Sequence, residues 1–211
     1  MTAVIFDCDG TLVDSEPLAR TAWERALAPH GYRLTDEDAE ACLGLPYPRV
    51  HAFFAERVAL PRPEAFWEEF SSQLFALIDR ELAPFHDAIN AARELRSRGI
   101  PVAVASSSPR ERLHRTLGRA GLLDAFDVTV AGDEVAHGKP APDMFLLAAE
   151  RLGVPAGDCI VVEDSPPGVQ AGLAAGMLTL AVCRVPGTEA SLAGADRILD
   201  SVTADAILQA A

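Results

Sequence analysis

Short apolar segments alternate with longer amphipathic stretches along most of the chain. The apolar segments, which occupy residues 3–6, 102–105, 128–131, 159–162 and 178–183, each end at a polar residue or a glycine. This pattern is typical of strands that are buried on both faces of a parallel sheet. The intervening stretches have apolar residues at helical spacing and are each followed by a glycine, over residues 87–98, 109–120, 142–152 and 166–175. The alternation predicts an α/β fold with a doubly wound parallel sheet.

Residues 15–82 interrupt this alternation. They contain consecutive amphipathic stretches that predict helices over residues 17–28, 36–42, 48–58 and 64–82. Both tryptophans and five of the nine phenylalanines lie in this range, and we interpret them as an internal core of the segment. The predicted domains are therefore an all-helical insertion over 15–82 and a core formed by 1–14 and 83–211.

Polar and acidic side chains follow the predicted strands directly. They are Asp7 and Asp9, Ser106, Gly132-Asp133-Glu134, and Glu163-Asp164. In an open parallel sheet, ligands bind outside the carboxyl ends of the strands. We therefore expect these residues to gather at one edge of the sheet and to form a site there.

The pair Asp7 and Asp9 suggests phosphoryl chemistry. Residues two apart in a strand face the same way, and two neighbouring carboxylates repel each other unless a cation lies between them. Mg²⁺ prefers oxygen ligands and often binds a substrate phosphate as well, and Glu163-Asp164 can supply further carboxylate oxygens. One aspartate can then attack phosphorus while the other protonates the leaving oxygen and later deprotonates water.

Two further residues complete the predicted catalytic set. Lys139, in Gly-Lys-Pro, is the candidate that neutralises charge on the phosphoryl oxygens, and Ser106 is the candidate that donates a hydrogen bond to one of them. The start of the helix near Pro109 offers backbone N–H groups to an anion.

The order of these motifs resembles the haloacid dehalogenase superfamily. The matching residues are Asp7-x-Asp9-Gly10-Thr11, Ser106, Lys139 and Glu163-Asp164. The resemblance implies a Rossmann-like core with a cap domain, here of the beta-phosphoglucomutase-like branch. It also implies Asp7 as nucleophile, Asp9 as acid/base, and Mg²⁺ held by Asp7, by the Asp9 backbone carbonyl and by Asp164, with Glu163 nearby or bound directly.

Five residues are candidates for substrate binding: Gly10, Thr11, Glu16, Arg49 and Ser107. Glu16 either lines the site or only begins the first helix of the cap. Arg49 either binds an anionic group of the substrate or is a solvated helix-start arginine.

The leading functional hypothesis is a phosphatase that acts on a small phosphomonoester such as a sugar phosphate. The first alternative is a phosphomutase of the beta-phosphoglucomutase kind. The resembling mutases carry a cap histidine where this chain has Ala19, which cannot relay a proton, so the phosphatase is favoured. The second alternative is a non-catalytic binding protein on the same fold.

Composition and charge restrict the partners. The chain has 211 residues, with 31 acidic against 18 basic residues and a formal net charge of −13. Because nucleic-acid binding depends on a basic surface, we expect no nucleic-acid partner. The four cysteines show neither zinc-site nor disulfide spacing, and no apolar run is long enough to span a bilayer. We expect a soluble, cytoplasmic, monomeric protein whose partner is a small phosphorylated metabolite.

Overall fold

The computed structural model describes residues 2–42, 47–185 and 187–210. Its internal contacts divide the chain into two compact units. The first unit comprises Met1–Asp14 and Ala83–Ala211, and the second comprises Ser15–Leu82. The assignment of these ranges as an enzymatic core and a cap stays a prediction.

The helices and strands follow the alternation in the sequence. The strands, numbered in chain order, are β1 (Ala3–Phe6), β2 (Val13–Asp14), β3 (Ala83–Pro84), β4 (Val102–Ser106), β5 (Val128–Ala131), β6 (Cys159–Glu163), β7 (Leu178–Val182) and β8 (Arg197–Leu199). The α-helices are α1 (Glu16–Leu27), α2 (Asp36–Cys42), α3 (Tyr47–Ala55), α4 (Pro63–Glu81), α5 (His86–Ser97), α6 (Arg110–Arg119), α7 (Asp143–Leu152), α8 (Pro166–Ala174) and α9 (Ala204–Leu208).

A six-stranded parallel sheet forms the centre of the first unit. Its strand order is β5-β4-β1-β6-β7-β8. The chain therefore adds strands on one side of β1 and then on the other, which makes β1 the switch point of a doubly wound sheet. The α/β prediction is confirmed.

Both faces of this sheet are buried at its central strands, β4, β1 and β6. Ala3 and Ile5 of β1 belong to one apolar cluster with residues of α7 and α8. Val4 and Phe6 alternate with them and point to the opposite face, where Phe6 contacts the ring of Phe126. This double burial is the reason that the strands are continuous apolar runs in the sequence.

An ion pair between Asp87 and Arg184 joins distant segments of the first unit. Arg184 donates two hydrogen bonds to the Asp87 carboxylate, at 2.9 and 3.0 Å, and one to the carbonyl oxygen of Thr11 at 3.0 Å. The backbone amides of Ala88 and Val202 also donate to Asp87. Burial raises the pKa of Asp87, but these hydrogen bonds outweigh it and leave the pKa below its ordinary value.

The two ends of the insertion meet in a small antiparallel ladder. β2 and β3 are two residues long, and Asp14 pairs with Ala83. The sequence analysis missed this ladder, because two residues are too few to show a period. It also missed β8, which has three residues, and α9, which has five.

Aromatic side chains fill the interior of the second unit. Trp23 of α1 stacks on Phe70 of α4 with ring centroids 3.9 Å apart, and it also contacts Phe54 and Phe66. Within the part of residues 15–82 that the structure describes, every regular element is helical. The aromatic residues therefore form a core of this unit.

Candidate active site

Three neighbouring strands bring the predicted motifs to one edge of the sheet. Asp7 follows β1, and its amide donates to the carbonyl oxygen of Val162 at 2.9 Å. Ser106 is the last residue of β4 and Glu163 the last residue of β6, and these strands flank β1. The carboxyl ends of β4, β1 and β6 thus place Ser106, Asp7 and Glu163 side by side.

Lys139 joins two of these strand ends. Its ammonium group donates to Asp7 Oδ1, to Glu163 Oε1 at 2.7 Å and to the Ala105 carbonyl oxygen at 3.3 Å. The side chains of Lys139, Asp7 and Glu163 are 6%, 8% and 1% exposed. All three N–H groups of the lysine therefore have an acceptor, and its charge is shared between two buried carboxylates.

Burial and mutual charge shift the ionisation of this cluster. Burial raises the pKa of Asp7 to about 7; Glu163 adds to the rise, whereas Lys139 opposes it. Burial opposes the charge of Lys139, but Asp7 and Glu163 outweigh it and hold the pKa of the ammonium group above its ordinary value. Burial, with the charges of Asp9 and Asp7, also raises the pKa of the Cys8 thiol, which keeps this thiol protonated.

The Glu163 carboxylate is held on both of its oxygens. Oε1 accepts from Lys139, and Oε2 accepts from the amides of Asp164 and Ser165 at 2.8 Å and from the Ser165 hydroxyl at 2.9 Å. Gly168 packs directly against this carboxylate, because a Cβ atom at that position would overlap it. Glu163 therefore fixes both Lys139 and the loop that carries Asp164.

Asp164 is positioned by the turn that follows β1. The Thr11 hydroxyl donates to Asp164 Oδ1 at 2.9 Å. Gly10 has a φ of 90°, and a Cβ atom there would overlap the Asp164 carboxylate. Gly10 and Thr11 therefore support an acidic side chain in this structure, and their predicted contact with substrate stays a prediction.

The acidic cluster fits a divalent cation. Asp7, Glu163 and Asp164 each offer a carboxylate oxygen, and these atoms lie within 4.8 Å of one another. Carboxylate oxygens are the ligands that Mg²⁺ prefers, and the single nearby lysine does not balance three acids. The Asp9 carboxylate is not part of this group, so its predicted metal contact, through the backbone carbonyl, stays a prediction.

Asp9 points its carboxylate to a different set of side chains. Oδ2 accepts from the hydroxyls of Ser106 and Ser108 at 3.1 and 2.8 Å, and Oδ1 accepts from Arg112 Nη2 at 2.8 Å. The sequence analysis missed Ser108 and Arg112. The spacing could have identified Ser108, because residues two apart share a face in extended chain, whereas Ser107 between them is exposed.

The first amide of α6 is not available to a substrate. The backbone N–H of Arg110 donates to both carboxylate oxygens of Asp133, at 3.1 and 3.2 Å. The anion that this amide contacts is thus a side chain of the protein itself.

Three residues that the sequence links to substrate binding or to the type of reaction lie in the second unit. Glu16 is the exposed first residue of α1, Ala19 is partly buried in the same helix, and Arg49 is exposed in α3. Of the segment before Arg49, residues 43–46 lie outside the described residues. The proposed roles of Glu16 and Arg49 stay predictions.

A family model for haloacid dehalogenase-like hydrolases matches residues 1–176. The chain belongs to this family. The hydrolase is 36% identical over 177 residues to the fructose-1-phosphate phosphatase YqaB of Escherichia coli (strain K12), covering 82% of this chain and 92% of that protein. It is also similar to the crystal structure of CbbY from Rhodobacter sphaeroides in complex with phosphate, with a TM-score of 0.86, 29% identity, and coverage of 96% and 95%.

Another relative is a larger protein. The hydrolase is 32% identical over 205 residues to the bifunctional riboflavin kinase/FMN phosphatase of Arabidopsis thaliana. The matched region covers 95% of this chain but only 53% of that protein, so the chain spans about half of its length. The family and its phosphatase relatives confirm the predicted class of enzyme, a phosphoric monoester hydrolase. Within residues 2–42, 47–185 and 187–210, no helix combines the length and the apolar character needed to cross a bilayer.

Proposed function

We propose that this hydrolase is a Mg²⁺-dependent phosphatase that acts on a small sugar phosphate through a phosphorylated Asp7. The observation that carries the proposal is the position of the Asp7 carboxylate. It is buried at the end of the central strand, bonded to Lys139 and within 4.8 Å of the oxygens of Glu163 and Asp164. The phosphatase relative that acts on fructose 1-phosphate supports the sugar phosphate as substrate class.

Asp7 is proposed to form and then lose a bond to phosphorus. Its carboxylate oxygen attacks the phosphorus atom, and the bond between phosphorus and the alcohol oxygen breaks. Asp9, which enters this step protonated, gives its proton to that oxygen and becomes a carboxylate, so a neutral alcohol leaves. A water molecule then attacks the phosphorus of the aspartyl phosphate and loses its proton to Asp9, which releases phosphate and restores Asp7.

The remaining residues of the site would hold the metal ion or orient Asp7 and the phosphoryl group. Asp7 and Asp164 are the carboxylates that would hold Mg²⁺, whereas protein donors already engage both oxygens of Glu163. A bound Mg²⁺ supplies charge neutralisation for the phosphoryl oxygens and the attacking carboxylate. Lys139 keeps Asp7 oriented. The Ser106 hydroxyl turns from Asp9 to donate to a phosphoryl oxygen.

A phosphate-release screen tests this proposal. Hexose, pentose and hexitol phosphates are compared with phosphoglycolate and nucleoside monophosphates, each with Mg²⁺ and with EDTA. We expect a sugar phosphate to be the best substrate, EDTA to abolish turnover, and Asp7→Asn to lose at least 10³-fold in kcat. Full turnover by a folded Asp7→Asn variant would refute the mechanism.

A second assay separates hydrolysis from transfer to a sugar hydroxyl. β-Glucose 1-phosphate is supplied with a bisphosphate primer, and glucose 6-phosphate and free phosphate are both measured. Because Ala19 offers no proton relay for an acceptor hydroxyl, we expect net phosphate release. Isomerisation faster than phosphate release would instead establish a phosphomutase.

A further inference from the structure

The Asp9 carboxylate is held by one cation and two hydroxyls. Arg112 Nη2 lies 2.8 Å from Oδ1, and the hydroxyls of Ser108 and Ser106 lie 2.8 and 3.1 Å from Oδ2. The side chains of Arg112 and Asp9 are 19% and 23% exposed, so water screens this ion pair only partly. Arg112 is therefore a charged partner of the predicted acid/base residue.

The Arg112 side chain extends from a fixed part of the backbone. Its helix, α6, begins at Arg110, whose amide is bonded to the Asp133 carboxylate. The preceding serine loop is fixed as well, because the Gly132 amide donates to the Ser108 carbonyl oxygen at 2.9 Å. Arg112 Nε is buried and has no hydrogen-bond partner among the described residues. The Asp9 contact is thus what directs the guanidinium group.

One donor to Asp9, the Ser106 hydroxyl, changes partner in the proposed reaction. If Ser106 turns to the phosphoryl group, Asp9 keeps the Ser108 hydroxyl and the Arg112 guanidinium. A hydroxyl rotates freely, whereas a guanidinium donates in fixed directions and its hydrogen bond to a carboxylate is charge-assisted. Arg112 then sets the orientation of the Asp9 carboxyl group, which enters the chemical step as the acid and leaves it as the carboxylate.

We propose that Arg112 is the positioning residue of Asp9. It acts through that carboxylate and not on the substrate, and the inference rests on the proposed acid/base function of Asp9. A general acid must lie within hydrogen-bond reach of the leaving oxygen, and a displacement of about 1 Å is enough to lower a rate up to about 10²-fold. Loss of Arg112 therefore impairs the reactions that need a proton on the leaving group.

The dependence on the leaving group distinguishes this role from others. A sugar alkoxide needs a proton when it leaves, whereas the acetate released from acetyl phosphate does not. The ratio kcat/KM reports only the steps up to departure of the leaving group, which excludes the later attack by water. A residue that acts through Asp9 changes kcat/KM for the sugar phosphate and leaves that for acetyl phosphate nearly constant.

The experiment compares Arg112→Gln and Arg112→Lys with Arg119→Gln, an exposed position of the same helix that serves as the matched control. Each variant is assayed with Mg²⁺ on the best sugar phosphate of the screen and on acetyl phosphate. We expect Arg112→Gln to lose about tenfold in kcat/KM on the sugar phosphate and less than about twofold on acetyl phosphate. Arg112→Lys, which keeps the charge, falls between Arg112→Gln and the wild-type enzyme and carries the test if Arg112→Gln does not fold.

A double-mutant cycle with Asp9→Asn completes the test. If Arg112 acts through Asp9, Arg112→Gln adds no further loss in the Asp9→Asn background. Equal losses on both substrates, or fully additive losses, would overturn the inference, since substrate binding or general structural support then explains Arg112. If Asp9→Asn itself does not impair the sugar phosphate reaction, the proposed function fails. If Asp9→Asn impairs the sugar phosphate reaction but Arg112→Gln does not lower its kcat/KM selectively, the proposed function stands and the inference about Arg112 fails.

Discussion

Gly168 and Gly118 are both helical glycines, and we expect alanine to have opposite effects at the two positions. At Gly168 of α8, an added Cβ atom would overlap the carboxylate of Glu163. At Gly118 of α6, the nearest atom outside the helix belongs to Leu123 at 3.6 Å, an ordinary van der Waals distance. Neither glycine has a positive φ, so backbone strain does not enter the comparison.

The expected loss of stability in Gly168→Ala follows from the hydrogen bonds that Glu163 would lose. Its carboxylate is 1% exposed and accepts hydrogen bonds from Lys139, Asp164 and Ser165. Displacement of this carboxylate breaks a buried ion pair, which lowers the free energy of unfolding by about 3–5 kcal/mol. Alanine in place of glycine in a helix raises it by about 1 kcal/mol. We therefore expect Gly168→Ala to lower the free energy of unfolding by about 2–4 kcal/mol. Gly118→Ala has only the helical gain of about 1 kcal/mol.

Thermal unfolding and the phosphatase assay check this pair. For a chain of this size, Gly168→Ala should lower the Tm by about 5–15 °C and Gly118→Ala should raise it by about 2–4 °C. Gly168→Ala should also lose most of its activity, because Lys139 loses one of its two carboxylate partners. A Gly168→Ala protein with wild-type Tm and turnover would show that Glu163 does not hold Lys139 in the way described.

Three further predictions concern other contacts of the structure. Because hydrogen bonds keep the folded-state pKa of Asp87 below its unfolded value, its stabilisation is complete above the unfolded pKa and disappears as the pH falls through the folded one. Asp87→Asn should therefore lower the Tm by about 4–8 °C at pH 7, and this difference should shrink steadily as the pH falls below the unfolded pKa of Asp87; a constant difference would contradict this. Thr11→Val should weaken Mg²⁺ binding about tenfold by calorimetry, because Asp164 loses a donor, while Thr11→Ser keeps the affinity. Because Trp23 stacks on Phe70, Phe70→Ala should lower the free energy of unfolding by about 3–5 kcal/mol. Urea unfolding followed by tryptophan emission should then show a lower midpoint; an unchanged midpoint would contradict the packing.

The sheet could be predicted from sequence because burial on both faces leaves a clear pattern. The run from Ala3 to Phe6 has no polar position, and Asp7 marks its end. The same reasoning located Glu163 at the end of β6. Parallel strands put their carboxyl ends at one edge, so the neighbourhood of Asp7 and Glu163 followed from topology alone.

Side-chain partners were harder to predict, because they depend on orientation and distance. Nothing in the sequence around Arg112 separates it from the other arginines of α6, and its contact with Asp9 joins residues 103 positions apart. The support of Asp164 by Thr11 spans 153 positions. Such contacts are set by the packing of a helix or turn against a strand end, and no local periodicity records them.

The ladder between β2 and β3 has a consequence for how such chains can change. Because Asp14 pairs with Ala83, the 68 residues of the second unit leave and re-enter the first unit at adjacent strands, which lie about 4.8 Å apart. A segment of almost any length can be inserted between two such points without a change in strand order. The residues of the second unit can therefore be replaced as a block, while the strand ends that carry Asp7, Ser106 and Glu163 keep their register.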